Sequence, residues 1–295
     1  MLGGVLLNIY YELLKYGKVL EKIYLKDYTT IKVGGMARYL FYPTNIKNLQ
    51  KALKYLKKIK YPSFILGMGS NILATDDFHD LVIIKLDHLS SEFIINNELL
   101  KISSNYKLSN ATKKLNHLGY GNFLGFSLIP ASIGGAIKMN ASCYGNTISD
   151  TLVKIITINK NGKIKIYHKE DLHFKYRKLL LEEIILYSFF KLYSQSDLNT
   201  LEESISIKKK STQVYDYPNF GSVFKNGEIK SYQLIKDTNM QGVKIGGAMF
   251  SLKHANFIVN LGEAKAKDIF TLIKMVQKKV YYQYKVNLNL EVIIL

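Results

Sequence analysis

Apolar and polar positions along this chain recur with two periods, and the switches between them outline its elements. From Leu13 to Ile23 apolar and charged residues mix at helical spacing, which predicts a helix packed on the body. From Tyr28 to Pro43 the sequence YTTIKVGGMARYLFYP turns at Gly34-Gly35. It then alternates at Ala37, Tyr39 and Phe41, the period of a half-buried strand. Asn45 is placed to cap a helix with Ile46, Leu49, Leu53, Leu56 and Ile59 on one face. A short strand at Phe64 to Leu66 runs into a glycine loop, Gly67 to Asn71. Strand patterns resume at Leu81 to Leu86 and Leu100 to Ser103, and an amphipathic helix from Leu108 to Leu118 stops at Gly119.

Beyond a second glycine loop, strands are predicted at Val153 to Asn159 and Ile164 to Tyr167, joined by the hairpin signal Asn161-Gly162. A buried strand follows from Ile184 to Leu192. A charged helical stretch, Asp197 to Lys210, carries the chain onward, with a domain boundary expected near Ser196. The last third predicts a strand at Phe220 to Lys225 and a helix at Ser231 to Met240. Two strands within Ile245 to Asn260 then turn at Lys253-His254. A helix from Ala266 carries Ile269, Phe270, Ile273, Val276 and Val280 on one stripe, and Val286 to Ile294 is expected as a closing strand.

The stretch that fits neither period is the informative one. GFSLIPASIGGAIKMNASCYG, Gly125 to Gly145, is rich in small residues, and Lys138 is its only charged side chain. Such a segment neither buries a continuous apolar face nor solvates like a linker. Gly134 and Gly135 permit φ > 0 and a near approach of backbone to a ligand, so consecutive amides here could form a nest for phosphate; a plain tight turn is the alternative. GMGSN at Gly67 to Asn71 is a second such loop. It is not the dinucleotide fingerprint, because the third glycine of that motif would fall at Ile72.

Composition narrows the classes. A chain of 295 residues, 47% hydrophobic, can build two or three domains, and no apolar run approaches the length of a membrane span. One cysteine, Cys143, excludes an internal disulfide and a cysteine metal site, and no signal peptide is read at the start; a cytoplasmic protein is expected. The net charge of +18 would suit nucleic acid, but the lysines are dispersed. Abundant Ile, Asn, Lys and Tyr without Trp is the imprint of an A- and T-favouring genome, which accounts for most of that charge. The surplus still attracts acidic small ligands.

Three polar residues stand inside apolar surroundings. Glu291 lies in the terminal VNLNLEVIIL, where a buried carboxylate must be paired, protonated or at a cleft, unless it faces solvent. Ser222 follows a glycine in PNFGSVFKN, and Arg177 sits in FKYRK; each has a structural alternative. No nucleophile elbow and no metal-ligand histidine spacing is present, so no metal is expected.

Taken in order, the motifs resemble one family from about Leu25 to Ile293: UDP-N-acetylenolpyruvoylglucosamine reductase, a flavoenzyme of bacterial peptidoglycan synthesis. They are TTIKVGG (29–35), LGMGSNIL (66–73), IPASIGGAIKMNASCYG (129–145), Tyr176-Arg177, GSVFKN (221–226), SLKHANFIVN (251–260) and VNLNLEV. The resemblance implies an α+β fold: an FAD-binding region of the vanillyl-alcohol-oxidase type, then a smaller α+β substrate domain. The expected division is 1–196 (subdomains 1–85 and 86–196) and 197–295. It implies non-covalent FAD held by Gly34, Gly67, Gly69, Ser70, Asn71, Pro130, Ser132, Gly134, Gly135, Ala136 and Asn140. It further implies NADPH as reductant and a UDP-sugar substrate contacted by Tyr176, Lys225 and Asn226. Ser222 would be the proton donor, with Arg177 and Glu291 stabilising the intermediate. A monomer of the compact class, without nucleic-acid or membrane partners, is the expectation. The family usually has glycine where Ala131 and Ser142 stand, which would narrow the freedom of the second loop. Another flavin oxidoreductase of this fold and a basic nucleic-acid-binding protein are the alternatives.

Overall fold

The computed structural model describes residues 9–295. The chain divides into two compact units. One takes residues 9–23, 37–67 and 80–206; the other takes 24–36, 68–79 and 207–295.

The first unit has two cores. In one, a four-stranded sheet runs in the order Gly17–Tyr24, Met36–Pro43, His79–Ile84, Ser63–Ile65, the last two parallel with Phe64 opposite Ile83. The helix Ile46–Lys58 closes it, burying Leu49, Ala52, Leu53 and Leu56 against Phe41, Val82 and Ile84. Asn45 caps that helix as expected, its side chain accepting from Asn48 N at 2.8 Å. The other core lies on an antiparallel five-stranded sheet in the order Ile164–His168, Leu152–Ile158, Ile184–Lys191, Leu99–Ser103, Phe93–Asn96. The helix Leu108–His117 packs here through Leu108, Ala111 and Leu115, together with Phe123, Phe126, Ile133 and Ile137.

Residues 17–24 form a strand, not the continuation of a helix. Helix is confined to 9–14 in this region, where Ile9 and Leu13 are buried. The break is Gly17: a Cβ there would lie 2.0 Å from the Tyr42 carbonyl, so the backbone passes too close to the neighbouring strand for any side chain. Beyond it Val19 is the buried anchor of the edge strand.

The second unit is a four-stranded antiparallel sheet, Asn219–Ser222, Phe257–Asn260, Ala248–Phe250, Lys244–Ile245, with two helices packed on it. Ser231–Asp237 contributes Leu234 and Ile235, and the 19-residue helix Ala266–Tyr284 contributes Ile269, Leu272, Ile273, Val276 and Val280; the expected stripe is the buried one, apart from half-buried Phe270. That long helix begins on a carboxylate from far upstream. Asp76 accepts from Ala266 N at 2.9 Å and from Lys267 N at 3.1 Å, filling two of the orphan amides of the first turn. The closing segment is not the continuous strand expected over Val286 to Ile294. Only Ile293–Ile294 pairs, in parallel with Ile72–Leu73, because the residues before it bond singly to a different partner around Val223–Lys225. No helix among the described residues is long and apolar enough to cross a membrane.

Candidate active site

In the first unit Gly67, the strand-end residue that opens one glycine loop, comes close to Ser132 of the other, far away in sequence. A Cβ on Gly67 would lie 2.9 Å from Ser132 Oγ, so only glycine lets the strand end come this close. Buried Lys85 fixes the approach, its ammonium donating to the Gly67 carbonyl at 2.8 Å and pairing with Asp87 at 3.1 Å.

The second loop is built differently from the expected nest. Residues Ile133–Lys138 are a short helix, capped by Ser132, whose hydroxyl accepts from Gly135 N at 3.2 Å. Gly134 and Gly135 therefore have ordinary helical backbone, not positive φ. Glycine is required at 134 because a Cβ would sit 2.9 Å from that of Ser104. The amides of this turn are spoken for: Ile133 donates to Tyr106, Gly134 to Ser104 and Ala136 to Ser132. By contrast, no described residue accepts from the amides of Met68, Gly69 or Ser70. The open donors expected for a pyrophosphate are thus in the first loop.

Further along, Asn140 adopts φ +43° and donates to the Lys175 carbonyl at 3.3 Å, while its Oδ1 is buried with no hydrogen-bond partner among the described residues. A buried acceptor left open is costly, so this oxygen is suited to a bound donor. Tyr144 and Gly145, both at positive φ, turn the hairpin Ser142–Cys143 and Asn146–Thr147. Tyr176 and Arg177 are the two turn residues of another hairpin, with Lys175 opposite Lys178. Arg177 is held in the left-handed region at φ +56°, its guanidinium 5.4 Å from the Tyr176 ring and bonded to the Ser142 carbonyl at 3.2 Å. Pro130 is exposed beside the second loop.

Lys138, the lone charge of the stretch, turns inward and donates to the Leu181 carbonyl. Burial pushes its ammonium down to about 8, with Glu183 and Glu182 opposing the shift.

In the second unit, Gly34 (φ +139°) and Gly69 (φ +66°) occupy backbone that L side chains rarely adopt. A Cβ on Gly69 would lie 2.1 Å from the Tyr28 carbonyl, and one on Gly34 would lie 2.9 Å from that of Ala74. Ser222 ends the strand Asn219–Ser222 opposite Phe257, its hydroxyl bonded to no described residue. Beside it, Lys225 donates its amide to Asn289, and Asn226 accepts from Ser231 N at 3.0 Å, starting the next helix. Glu291 lies one register away: its amide donates to the Val223 carbonyl at 2.9 Å, and its own carbonyl accepts from the Asn71 side chain at 3.0 Å. Asn71, Ser222, Lys225 and Glu291 are therefore tied together through backbone bonds within one unit.

Comparison with known proteins identifies the family. Residues 213–295 match the family model of the UDP-N-acetylenolpyruvoylglucosamine reductase C-terminal domain, and 37–167 match that of the FAD binding domain. The UDP-N-acetylenolpyruvoylglucosamine reductase of Bacillus pumilus is 35% identical over 97% of this chain and 97% of its own length. The chain belongs to this family. The enzyme of the same name from Carboxydothermus hydrogenoformans is 35% identical over 94% of both chains. The solved structure of UDP-N-acetylenolpyruvylglucosamine reductase from Thermus caldophilus superposes with a TM-score of 0.81, covering 95% of this chain and 99% of that one at 30% identity. The α+β FAD-binding architecture with a C-terminal α+β domain is accordingly the family's fold.

The two departures from the family's glycines fall where glycine is dispensable. Neither Ala131 nor Ser142 has positive φ, and Ala131 makes ordinary backbone bonds to Ile129 and Leu108. Sequence reasoning passed over three supports. Buried Asn256 clamps Phe224, accepting from its amide at 3.0 Å and donating to its carbonyl at 2.8 Å. Asn260 donates to Ile31 O and accepts from Gly262 N and Ala264 N. Lys85 is the third. Two of them lie in SLKHANFIVN, and the signal was there: asparagines within an apolar strand must be satisfied by something.

Proposed function

We propose that this chain reduces UDP-N-acetyl-3-O-(1-carboxyvinyl)-glucosamine to UDP-N-acetylmuramate with NADPH, the reaction named for its relatives in peptidoglycan precursor synthesis. The observation that carries the reading is family membership over 97% of the chain; Arg177, Ser222 and Glu291 stand within the motifs on which the resemblance rests. FAD, when bound, would supply the redox chemistry, a hydride relay from NADPH to the substrate.

The chain's residues supply the rest. The open amides of Met68 to Ser70, with Asn71, receive the FAD pyrophosphate. Gly34, Gly67, Gly69, Gly134 and Gly135 serve by lacking a Cβ, Ala136 by its small size, and Asn140 Oδ1 accepts a cofactor donor. Pro130 shapes the entry to the second loop. Tyr176, Lys225 and Asn226 contact the UDP-sugar. As hydride arrives, negative charge builds on the substrate carboxylate and the adjoining carbon, and the Arg177 guanidinium offsets it. The Ser222 hydroxyl, free of intramolecular bonds, gives that carbon its proton. Glu291 assists as a hydrogen-bond donor in its protonated form. The same proposal places the enzyme in the cytoplasm as a monomer, which sedimentation at 33.7 kDa checks.

The test is a flavin spectrum followed through both half-reactions. Flavin absorbance bleached by NADPH, then restored anaerobically by the enolpyruvyl UDP-sugar, is the expected result. In Ser222→Ala the bleaching persists and the restoration slows by a factor of about 10³ or more. A protein that cannot be loaded with flavin overturns the reading.

A further inference from the structure

The bonds around Glu291 have a consequence for how the site is assembled. Its amide is tied to Val223, the neighbour of Ser222, at 2.9 Å, and Lys225 N donates to Asn289 O at 2.9 Å across the bridge between Phe224 and Leu290. Its carbonyl is tied instead to the Asn71 side-chain amide at 3.0 Å. Ile293 N returns a bond to Asn71 O at 3.0 Å, Leu295 N donates to Leu73 O, and Thr75 N to Leu295 O. One residue of the first glycine loop thus brackets the glutamate from two sides, once through its side chain and once through its backbone.

We propose that Asn71 is a positioning residue for Glu291: its side-chain amide fixes the glutamate's backbone, so the loop that receives the cofactor also sets the carboxylate. The inference rests on the function proposed above. The physical reason is geometric. A carboxylic acid that donates to a developing charge must be held to within about half an ångström, and side-chain torsions alone do not do this. Backbone bonds on both sides of Glu291 remove the freedom of the chain that carries it. One of those bonds reaches the loop that the cofactor occupies, so cofactor and acid share one reference point. Leu, Val or Ser at position 71 could leave the strand pairing through its carbonyl intact, yet none offers an amide to the Glu291 carbonyl.

Two variants and two readouts test this. Asn71→Ala removes the side-chain bond. Ile293→Pro removes the amide that bonds the Asn71 carbonyl and leaves every residue of the loop unchanged. With flavin at saturation, Ile293→Pro is expected to slow restoration of the flavin by the enolpyruvyl substrate about tenfold or more, while bleaching by NADPH changes less than about threefold; Asn71→Ala, in the loop proposed to hold the cofactor, is read by exchange in the flavin-free protein. In flavin-free protein, the amides of residues 289–295 exchange with deuterium at least about fivefold faster in Asn71→Ala, while those of Ile46–Lys58 are unchanged. Equal effects on both half-reactions, or unaltered exchange at 289–295, overturn the inference with the proposed function intact. A wild-type protein that the enolpyruvyl substrate cannot reoxidise removes the function and the inference together.

Discussion

Lys138 shows most directly how one side chain links the cofactor loop to stability. Its ammonium is charged at neutral pH in the folded and unfolded chain alike, but only the folded chain buries it, at about 8 against the ordinary 10.5. Between those values the unfolded chain holds more protons, so stability attributable to this group rises with pH across the window and is lowest below it. Lys138→Met is therefore expected to stabilise the protein at pH 7 by about 1–2 kcal/mol, allowing for the lost bond to Leu181, and to gain little by pH 10.5. Thermal melts of both proteins from pH 7 to 10.5 check the sign. Gly34 goes the other way. At φ +139° and with Ala74 in contact, Gly34→Ala costs about 3 kcal/mol, read as a lowered midpoint in urea. At this scale the sequence was informative wherever a residue type contradicted its surroundings. Ser222 and Glu291 stood out in apolar strands, and both lie in the second unit's bonded cluster. The glycine pair 134–135 does not use the positive φ that glycine permits: Gly134 answers to Ser104, a contact that no local pattern contains, and Gly135 to the capping hydroxyl of Ser132.

Among the elements, helices with a clear stripe and a cap were legible, as Ile46–Lys58 with Asn45 demonstrates. The start of Ala266–Tyr284 was read at the right residue, but not what caps it. Its cap is Asp76, 190 positions upstream, where the sequence offers only an acidic residue after a strand. Replacing Asp76 by Ala leaves two first-turn amides without their acceptor and removes a negative charge from the positive end of the helix. The expected cost is about 1–2 kcal/mol in chemical unfolding, with Asp76→Asn recovering part of it. Two misreadings share one cause. Residues 17–23 carry helical spacing and 286–294 carry strand spacing, but close passage of Gly17 by Tyr42 decides the first. Alternating partners at Val223 and Asn71 decide the second. Periodicity reports which faces are apolar; it does not report which neighbour a backbone will find.

For the whole molecule, the second unit draws residues 24–36 and 68–79 together with 207–295, an arrangement of noncontiguous segments that composition along the chain cannot disclose. Net charge, in contrast, is a property read from sequence alone, and it acts at this scale. The chain carries +18, and both of the small molecules its proposed reaction consumes are polyanions. The summed field of the chain's lysines raises the local concentration of anions and accelerates their encounter. The field is screened beyond about 10 Å at 0.1 M salt, whereas contacts inside a closed site are not. Raising ionic strength from about 0.02 to 0.3 M should therefore lower kcat/KM for NADPH and for the UDP-sugar severalfold, with kcat nearly constant. Potassium and tetramethylammonium chloride should act alike if the effect is screening. A fall in kcat of the same size would mean that salt reaches the bonded cluster around Asn71, Ser222 and Glu291 itself, and that the charge is local to the chemistry.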